Sequence, residues 1–300
     1  MKQTAVVIAP GRGTYNKNEL GYLKRHHPNA PNLDQFDAYR ATLGQKKISE
    51  LDTFSRFSGP THTRGDNAAP LIYACAYSDF VSIDRDLFDI VGITGNSMGW
   101  YIALACAGAV DPMGGMQVVN TMGTLMQVHM IGGQLIYPFL DDNWQEIPGR
   151  RDNLLSEVIT INSRPDHDLG LSIDLGGMLV LAGNEAGLTA FERSVPALQG
   201  RFPMRLQNHA GFHTHLQRPI SKLGFDALSE QLFVQPTIPL IDGRGAIWYP
   251  NSTDTSALYN YTLGHQVVEP YDFTAAIRTA AREFMPDVFI VLGPGTTLGG

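Results

Sequence analysis

The 300-residue sequence predicts an α/β fold, in which a larger hydrolase-like α/β domain is interrupted by a compact α+β lobe. Three observations carry this expectation. Short, apolar, β-branched runs alternate with helical patterns, a glycine-flanked serine joins one such run to a helix, and the composition shifts after residue 130. At roughly 150 residues per domain the length suggests two domains, or one with an inserted lobe. With 43% hydrophobic and 17% charged residues the chain can bury a sizeable core, and disorder is excluded.

Residues 4–9 read as a buried strand that ends in Pro10-Gly11-Arg12-Gly13, a tight turn with exposed backbone. In open α/β sheets ligands bind at this C-terminal edge. Helical patterns cover 34–44 and 67–83. A second buried strand, 87–94, runs into Gly95-Asn96-Ser97-Met98-Gly99 and a helix over 100–107 that Gly108 stops. A long helix follows over 112–131. Residues 134–139 alternate like a strand, 141–156 look helical, three short strands fall near 157–162, 170–174 and 178–182, and 184–194 form a helix. These segments make up the inserted lobe, so the large domain is expected over 1–130 and 202–300 and the insert over 131–201. A strand at 239–241, helices over 252–263 and 271–284, and a strand at 288–292 leading to Gly293-Pro294-Gly295 complete the larger domain.

Charge and composition exclude several classes of function. Twenty-two Lys and Arg against 29 Asp and Glu leave a net charge of −7, so nucleic acid meets no basic footprint. No apolar run reaches the ~18 residues of a spanning helix, and the opening MKQTAVVIAP lacks a cleavage site, which argues against a membrane location or a signal peptide. Cys75 and Cys106 lie in apolar helical patterns and form no disulfide framework. A cytoplasmic protein is expected.

Strand, G-x-S-x-G, then helix is the pattern of a nucleophile elbow. Glycines fit the tight turn, which lifts the serine hydroxyl out of the chain and aims a helix N-terminus at it. Ser97 is the expected nucleophile, and the N–H of Met98 can then stabilise an oxyanion. For the base, His26, His27, His62 and His167 read as solvated loop residues and His129 as mid-helix packing. His209, His213, His215 and His265 remain. The chain order of α/β-hydrolases selects Ser97, Asp242 and His265. The rival is a Ser97–His213 dyad in which a backbone carbonyl fixes the imidazole tautomer. A zinc site from His209, His213 and His215 is disfavoured, because no carboxylate lies near in sequence; no metal is expected.

Several segments, taken in order, resemble the malonyl-CoA:acyl carrier protein transacylases and the acyltransferase domains of polyketide synthases. PGRG stands where that family has a PGQG-like oxyanion loop. NAAPLIYACAYSDF, GNSMGWYIALACAGAV and MGTLMQ are similar to its pre-elbow helix, its elbow and its R-G-x-x-M-Q segment. NHAGFHTHLQRP resembles its catalytic-histidine segment, and HQVVEPYDF and VLGPGTTLGG its closing elements. The resemblance implies a ferredoxin-like insert with the active site in the cleft between the lobes. It implies His213 as base, oriented by the carbonyl of Gln266, and an oxyanion hole from the N–H groups of Arg12 and Met98. It further implies ping-pong transfer of an acyl group from acyl-CoA, through acyl-Ser97, to the phosphopantetheine thiol of an acyl carrier protein. The carrier would belong to a fatty acid or polyketide synthase, and no bound cofactor is implied.

The sequence departs from that pattern at the residues expected to meet substrate: Asn96, Trp100, Met122 and Phe212. Met122 replaces the arginine that pairs with the malonate carboxylate, Asn96 replaces a histidine, and Trp100 replaces a polar or acidic neighbour. Arg12 takes the place of the oxyanion-loop glutamine. An uncharged acyl group is therefore expected, since a carboxylate beside Met122 is desolvated without a partner. Met122 is one of five methionines on its helix, most of which read as core filling. Three alternatives stand beside this expectation. One is a thioester hydrolase that clears stalled acyl groups, with Trp100 and Asn96 crowding the elbow. Another is a genuine malonyl transferase with Arg12 as substitute clamp. The third is a non-enzymatic docking module. For carrier docking, Arg150, Arg151, Arg201 and Arg205 are the basic candidates.

Overall fold

A computed structural model describes residues 2–141, 143–296 and 298. Residues 297, 299 and 300 of the closing VLGPGTTLGG segment lie outside the described residues. Two five-stranded sheets organise the chain. The first has the order β10-β1-β2-β7-β8, from β1 (Gln3–Ala9), β2 (Phe88–Gly95), β7 (Leu240–Ile241), β8 (Ile247–Trp248) and β10 (Val288–Val291). β10, β1, β2 and β7 are parallel, and β8 returns antiparallel. Apolar residues of β1 and β2 are buried, as parallel strands covered on both faces require. The longer helices on this sheet are α1 (Leu33–Thr42), α2 (Gly65–Val81), α3 (Gly99–Cys106) and α4 (Pro112–His129). α2 and α4 approach closely because a Cβ on Gly123 would meet the Gly65 carbonyl oxygen at 2.6 Å.

The second sheet has the order β6-β3-β5-β4-β9, from β3 (Gly133–Pro138), β4 (Leu169–Asp174), β5 (Met178–Gly183), β6 (Met204–Arg205) and β9 (Tyr271–Asp272). Helices α5 (Arg150–Asn162) and α6 (Glu185–Ser194) fall between β3 and β4 and between β5 and β6. The chain thus runs β-α-β-β-α-β with its four strands antiparallel in the order fourth-first-third-second, a ferredoxin-like arrangement. This lobe has its own apolar cluster around Leu135, Tyr137, Leu154, Val158, Ile161, Leu181 and Phe191. The fifth strand, β9, comes from the C-terminal part of the chain. It pairs parallel to β4 and continues into α8 (Phe273–Phe284), which follows the amphipathic helix α7 (Arg218–Ala227) in the chain.

Three sequence expectations are corrected here. The strand near 157–162 is the second half of α5, whose start follows the Pro148-Gly149 break. Its Leu154, Val158 and Ile161 fall on one buried helical face, and that period outweighs the β-branched composition. His62 is buried rather than solvated; its Nε2 lies 3.0 Å from the Leu51 carbonyl oxygen, and its ring stacks on Phe57. His129 is the exposed last residue of α4, not interior packing. Cys75 and Cys106 are buried free thiols. Among the described residues no helix is long and apolar enough to cross a membrane.

Candidate active site

The C-terminal ends of β1 and β2 place the Gly11–Gly13 turn and the Ser97 elbow side by side. The elbow glycines are a steric requirement. A Cβ on Gly95 would lie 2.2 Å from the Gly99 backbone, and one on Gly99 would lie 2.4 Å from the Ala9 carbonyl oxygen. Between them Ser97 adopts φ +56°, a left-handed conformation that L-residues hold only when their surroundings enforce it. The Asn96 N–H donates to the Ala9 carbonyl (3.0 Å) and the Gly99 N–H to the Asn96 carbonyl (2.8 Å), which enforces it here.

Ser97 Oγ and His213 Nε2 are 2.7 Å apart. On the other side of the ring, Nδ1 is 2.6 Å from the backbone carbonyl oxygen of Gln266. A carbonyl only accepts, so Nδ1 carries the proton and Nε2 presents a lone pair to the serine hydroxyl. The Gln266 carbonyl is free because its helical partner four residues on is Pro270, which has no N–H. A π-helical turn over Tyr261–His265 delivers Gln266 to this position. The Gln266 side chain closes the assembly: Tyr101 OH donates to Oε1 (2.9 Å), and Nε2 donates to the Ser97 carbonyl (3.1 Å). Burial pulls the imidazole of His213 down to about 4, against the opposing hydrogen bond to Gln266, so the ring is neutral at pH 7.

His213 also sits at positive φ, +57°. Its loop is pinned to the inserted lobe, with the Gly211 N–H donating to the Ile131 carbonyl (2.8 Å) and Ser172 Oγ donating to the Phe212 carbonyl (2.8 Å). The N–H groups of Arg12 and Met98, at the start of α3, donate to no backbone carbonyl among the described residues, which leaves both available to an oxyanion.

The candidate triad partners are elsewhere. Asp242 is buried and bonded to Arg244 and Trp248, and His265 stacks on Tyr261. His209 pairs with Gln134 and His215 with Asp168, so the three clustered histidines do not converge. Among the described residues no group of three or more His, Cys, Asp or Glu side chains is placed to hold a metal ion.

Two cavities meet at Ser97. A cleft of about 360 Å3 is lined by Arg12, Asn96, Gln134, His209 and Phe212, among others. A smaller cavity of about 30 Å3 lies behind the serine, against Met98, Tyr101, Val119, Met122, Phe212 and Val267. Arg12 borders both. Its Nη2 donates to the Thr63 and Asn208 carbonyls (2.9 and 3.0 Å), while its buried Nε has no acceptor. Burial pulls its guanidinium down to about 10, against the opposing charge of Asp66.

Asn96, Met122 and Phe212 therefore line the site, and Trp100 does not. Its indole is fully buried, donates to Thr262 Oγ1 (3.0 Å) and meets Tyr261 edge-on. Of the basic docking candidates, Arg151 is paired with Asp174 (2.6 Å) and Arg205 with Glu185 and Glu192 (3.0 and 2.7 Å). The Tyr101–Gln266–Ser97 bridge was not visible in the sequence. The one local signal near it, the proline four residues after Gln266, concerns the backbone carbonyl that meets His213 and not this side-chain bridge.

Fold and site together define an α/β scaffold with a serine nucleophile elbow, a histidine without a carboxylate partner, and a ferredoxin-like insert. This is the fold of the malonyl-CoA:acyl carrier protein transacylases. The solved enzyme from Synechocystis superposes with a TM-score of 0.77 at 20% identity, covering 99% of this chain and 92% of that one. The Xanthomonas oryzae enzyme gives 0.79 at 18% identity, covering 100% and 91%. A malonyl-transacylase solved with its type II polyketide synthase acyl carrier protein gives 0.78 at 17%, covering 99% and 91%. In sequence, the chain is 22% identical over 208 residues to the malonyl CoA-acyl carrier protein transacylase of Salmonella typhimurium. That match spans 69% of this chain and 63% of the relative's length. No family model matches the chain.

Four outcomes follow from this geometry. Gly99→Ala should lower unfolding free energy by about 2 kcal/mol or more in urea titrations, since the added methyl meets the backbone carbonyls of Ala9 and Pro10. Ser97→Ala should abolish acyl-enzyme in intact-mass spectra. His213→Ala should slow acylation about 10²-fold, whereas Asp242→Asn leaves the rate per folded molecule nearly unchanged. Single-turnover acylation should be flat from pH 5 to 8 and fall on acidification through about 4, where His213 gains its proton and loses the lone pair it needs.

Proposed function

We propose that the protein is an acyl-CoA:acyl carrier protein S-acyltransferase working in the cytoplasm. The observation that carries this reading is the carboxylate-free relay from Ser97 through His213 to the Gln266 carbonyl. In the first half-reaction His213 Nε2 takes the Ser97 proton as Oγ attacks the thioester carbonyl. The N–H groups of Arg12 and Met98 receive the oxyanion. Collapse expels the CoA thiolate, which takes the proton from His213 and leaves acyl-Ser97. In the second, the phosphopantetheine thiol of the carrier gives its proton to His213 and attacks the ester, and Ser97 departs with that proton. Arg151 and Arg205 are held in ion pairs; among the described residues Arg150 and Arg201 are in none, Arg150 meeting the Tyr137 hydroxyl and Arg201 lying over the Phe202 ring, and these two are the cations left for an acidic carrier to meet.

The acyl group is uncharged on this reading. The cavity behind Ser97 is lined mostly by apolar side chains, and the fully buried Met122 offers neither charge nor a donor. A second reading has its own support. The unpaired Nε of Arg12 at the edge of the same cavity suits an acyl group that bears a carboxylate.

Rates of Ser97 acylation from acetyl-CoA and malonyl-CoA decide between them. The unmutated protein should prefer acetyl-CoA, and Met122→Arg should move the preference toward malonyl-CoA by tenfold or more, equivalent to about 1.4 kcal/mol or more from a partly buried charged pair. Equal or better use of malonyl-CoA, lost in Arg12→Gln, would favour the Arg12 reading instead.

A further inference from the structure

The larger cleft contains a second histidine that the relay does not use. His209 lines it beside Arg12, Gln134 and Phe212, and its Nδ1 is 3.0 Å from Gln134 Oε1. The proton on this ring can be placed by working outward from a group that can only accept. The Phe212 carbonyl takes the Ser172 hydroxyl proton (2.8 Å). Having given up its one proton, Ser172 Oγ must accept from Gln134, which therefore turns its amide nitrogen to it (2.6 Å). The Gln134 carbonyl oxygen is then the atom facing His209, so Nδ1 carries the proton and Nε2 keeps a lone pair. Burial, with the Arg12 charge second, holds the imidazole well below its ordinary range and keeps it neutral.

The fold builds this arrangement deliberately. The β4–β5 register slips between Leu171 and Ile173, and the extra residue in the bulge is Ser172, which reaches both Gln134 and the histidine loop. Among the described residues no donor reaches His209 Nε2, although two side chains and the Phe212 carbonyl are aligned to keep it unprotonated. Such a group is an acceptor waiting for a donor in the cleft.

We propose that His209 Nε2 accepts a hydrogen bond from an amide N–H of the pantetheine arm as the thioester lies in the cleft leading to Ser97. The inference rests on the acyltransferase reading, since the pantetheine arm is where such a substrate carries amides. His209 is then a positioning and specificity residue, and the Gln134–Ser172 pair sets its tautomer.

The test compares S-acetyl-pantetheine with an analogue in which oxygen replaces both amide N–H groups, with 4-nitrophenyl acetate as a substrate that has no arm. In the unmutated protein the analogue should lose about tenfold in kcat/KM for Ser97 acylation, mainly through KM. His209→Leu should lose the same factor with the amide substrate, show no further loss with the analogue, and react normally with 4-nitrophenyl acetate. His209→Asn, which retains an acceptor, should recover part of the loss. If the unmutated protein uses both thioesters equally, or His209→Leu still discriminates between them, the assignment of His209 is overturned. If 4-nitrophenyl acetate acylates Ser97 and neither thioester does, the acyltransferase reading fails and His209 loses its substrate with it.

Discussion

Where the ends of β1 and β2 meet the first turn of α3, the backbone leaves no room for a side chain. Gly95 and Gly99 touch each other and the Ala9 carbonyl, and the serine between them is forced into the left-handed region. This one steric constraint orients the hydroxyl, the Met98 N–H and the start of α3 together. It also sets the spacing to the Arg12 turn, because Gly11 packs against the Asn96 carbonyl within 2.9 Å of where a Cβ would be. Ser97 and the two candidate oxyanion donors are thus set by backbone packing, and their placement does not depend on any flexible side chain.

The imidazole is held by different means. Pro270 releases one carbonyl from its helix, and His213 uses it in place of a carboxylate. A carbonyl dipole orients the ring as an aspartate would, but supplies less electrostatic support to an imidazolium. Burial then lowers the basicity further. The ring is therefore neutral at pH 7, with its Nε2 lone pair on Ser97, and no carboxylate has to be buried beside it.

What was legible in the sequence was what is local in the chain. The elbow lies within five residues flanked by a strand and a helix, and its pattern survives without any tertiary information. Ser97 and His213 are 116 positions apart, and the residues alone left His213 and the Asp242–His265 pair in competition; the family resemblance chose between them. The misreadings have a common physical origin in long-range packing. His62 sits in a polar stretch, yet Phe57 and Leu51 close over it; Trp100 adjoins the nucleophile, yet the helix turns it into the core. The β-branched run in α5 reads as a strand until the buried face of the helix is known. His209 drew notice as one of four candidate bases and as a possible metal ligand, and not for its hydrogen-bond setting, because that depends on a bulge in a strand nearly 40 residues away.

The small sheet is not a self-contained appendage. Its fifth strand is β9, supplied by the segment that goes on to form α8 on the large domain, and Thr274 Oγ1 bonds Asp174 across the junction (2.5 Å). The lobe is therefore anchored at both of its own ends and again by a returning strand. The lobe is thus joined to the large domain by more than the two chain crossings that an insertion requires. Whatever reaches Ser97 therefore enters between two walls that the chain has already joined at three places.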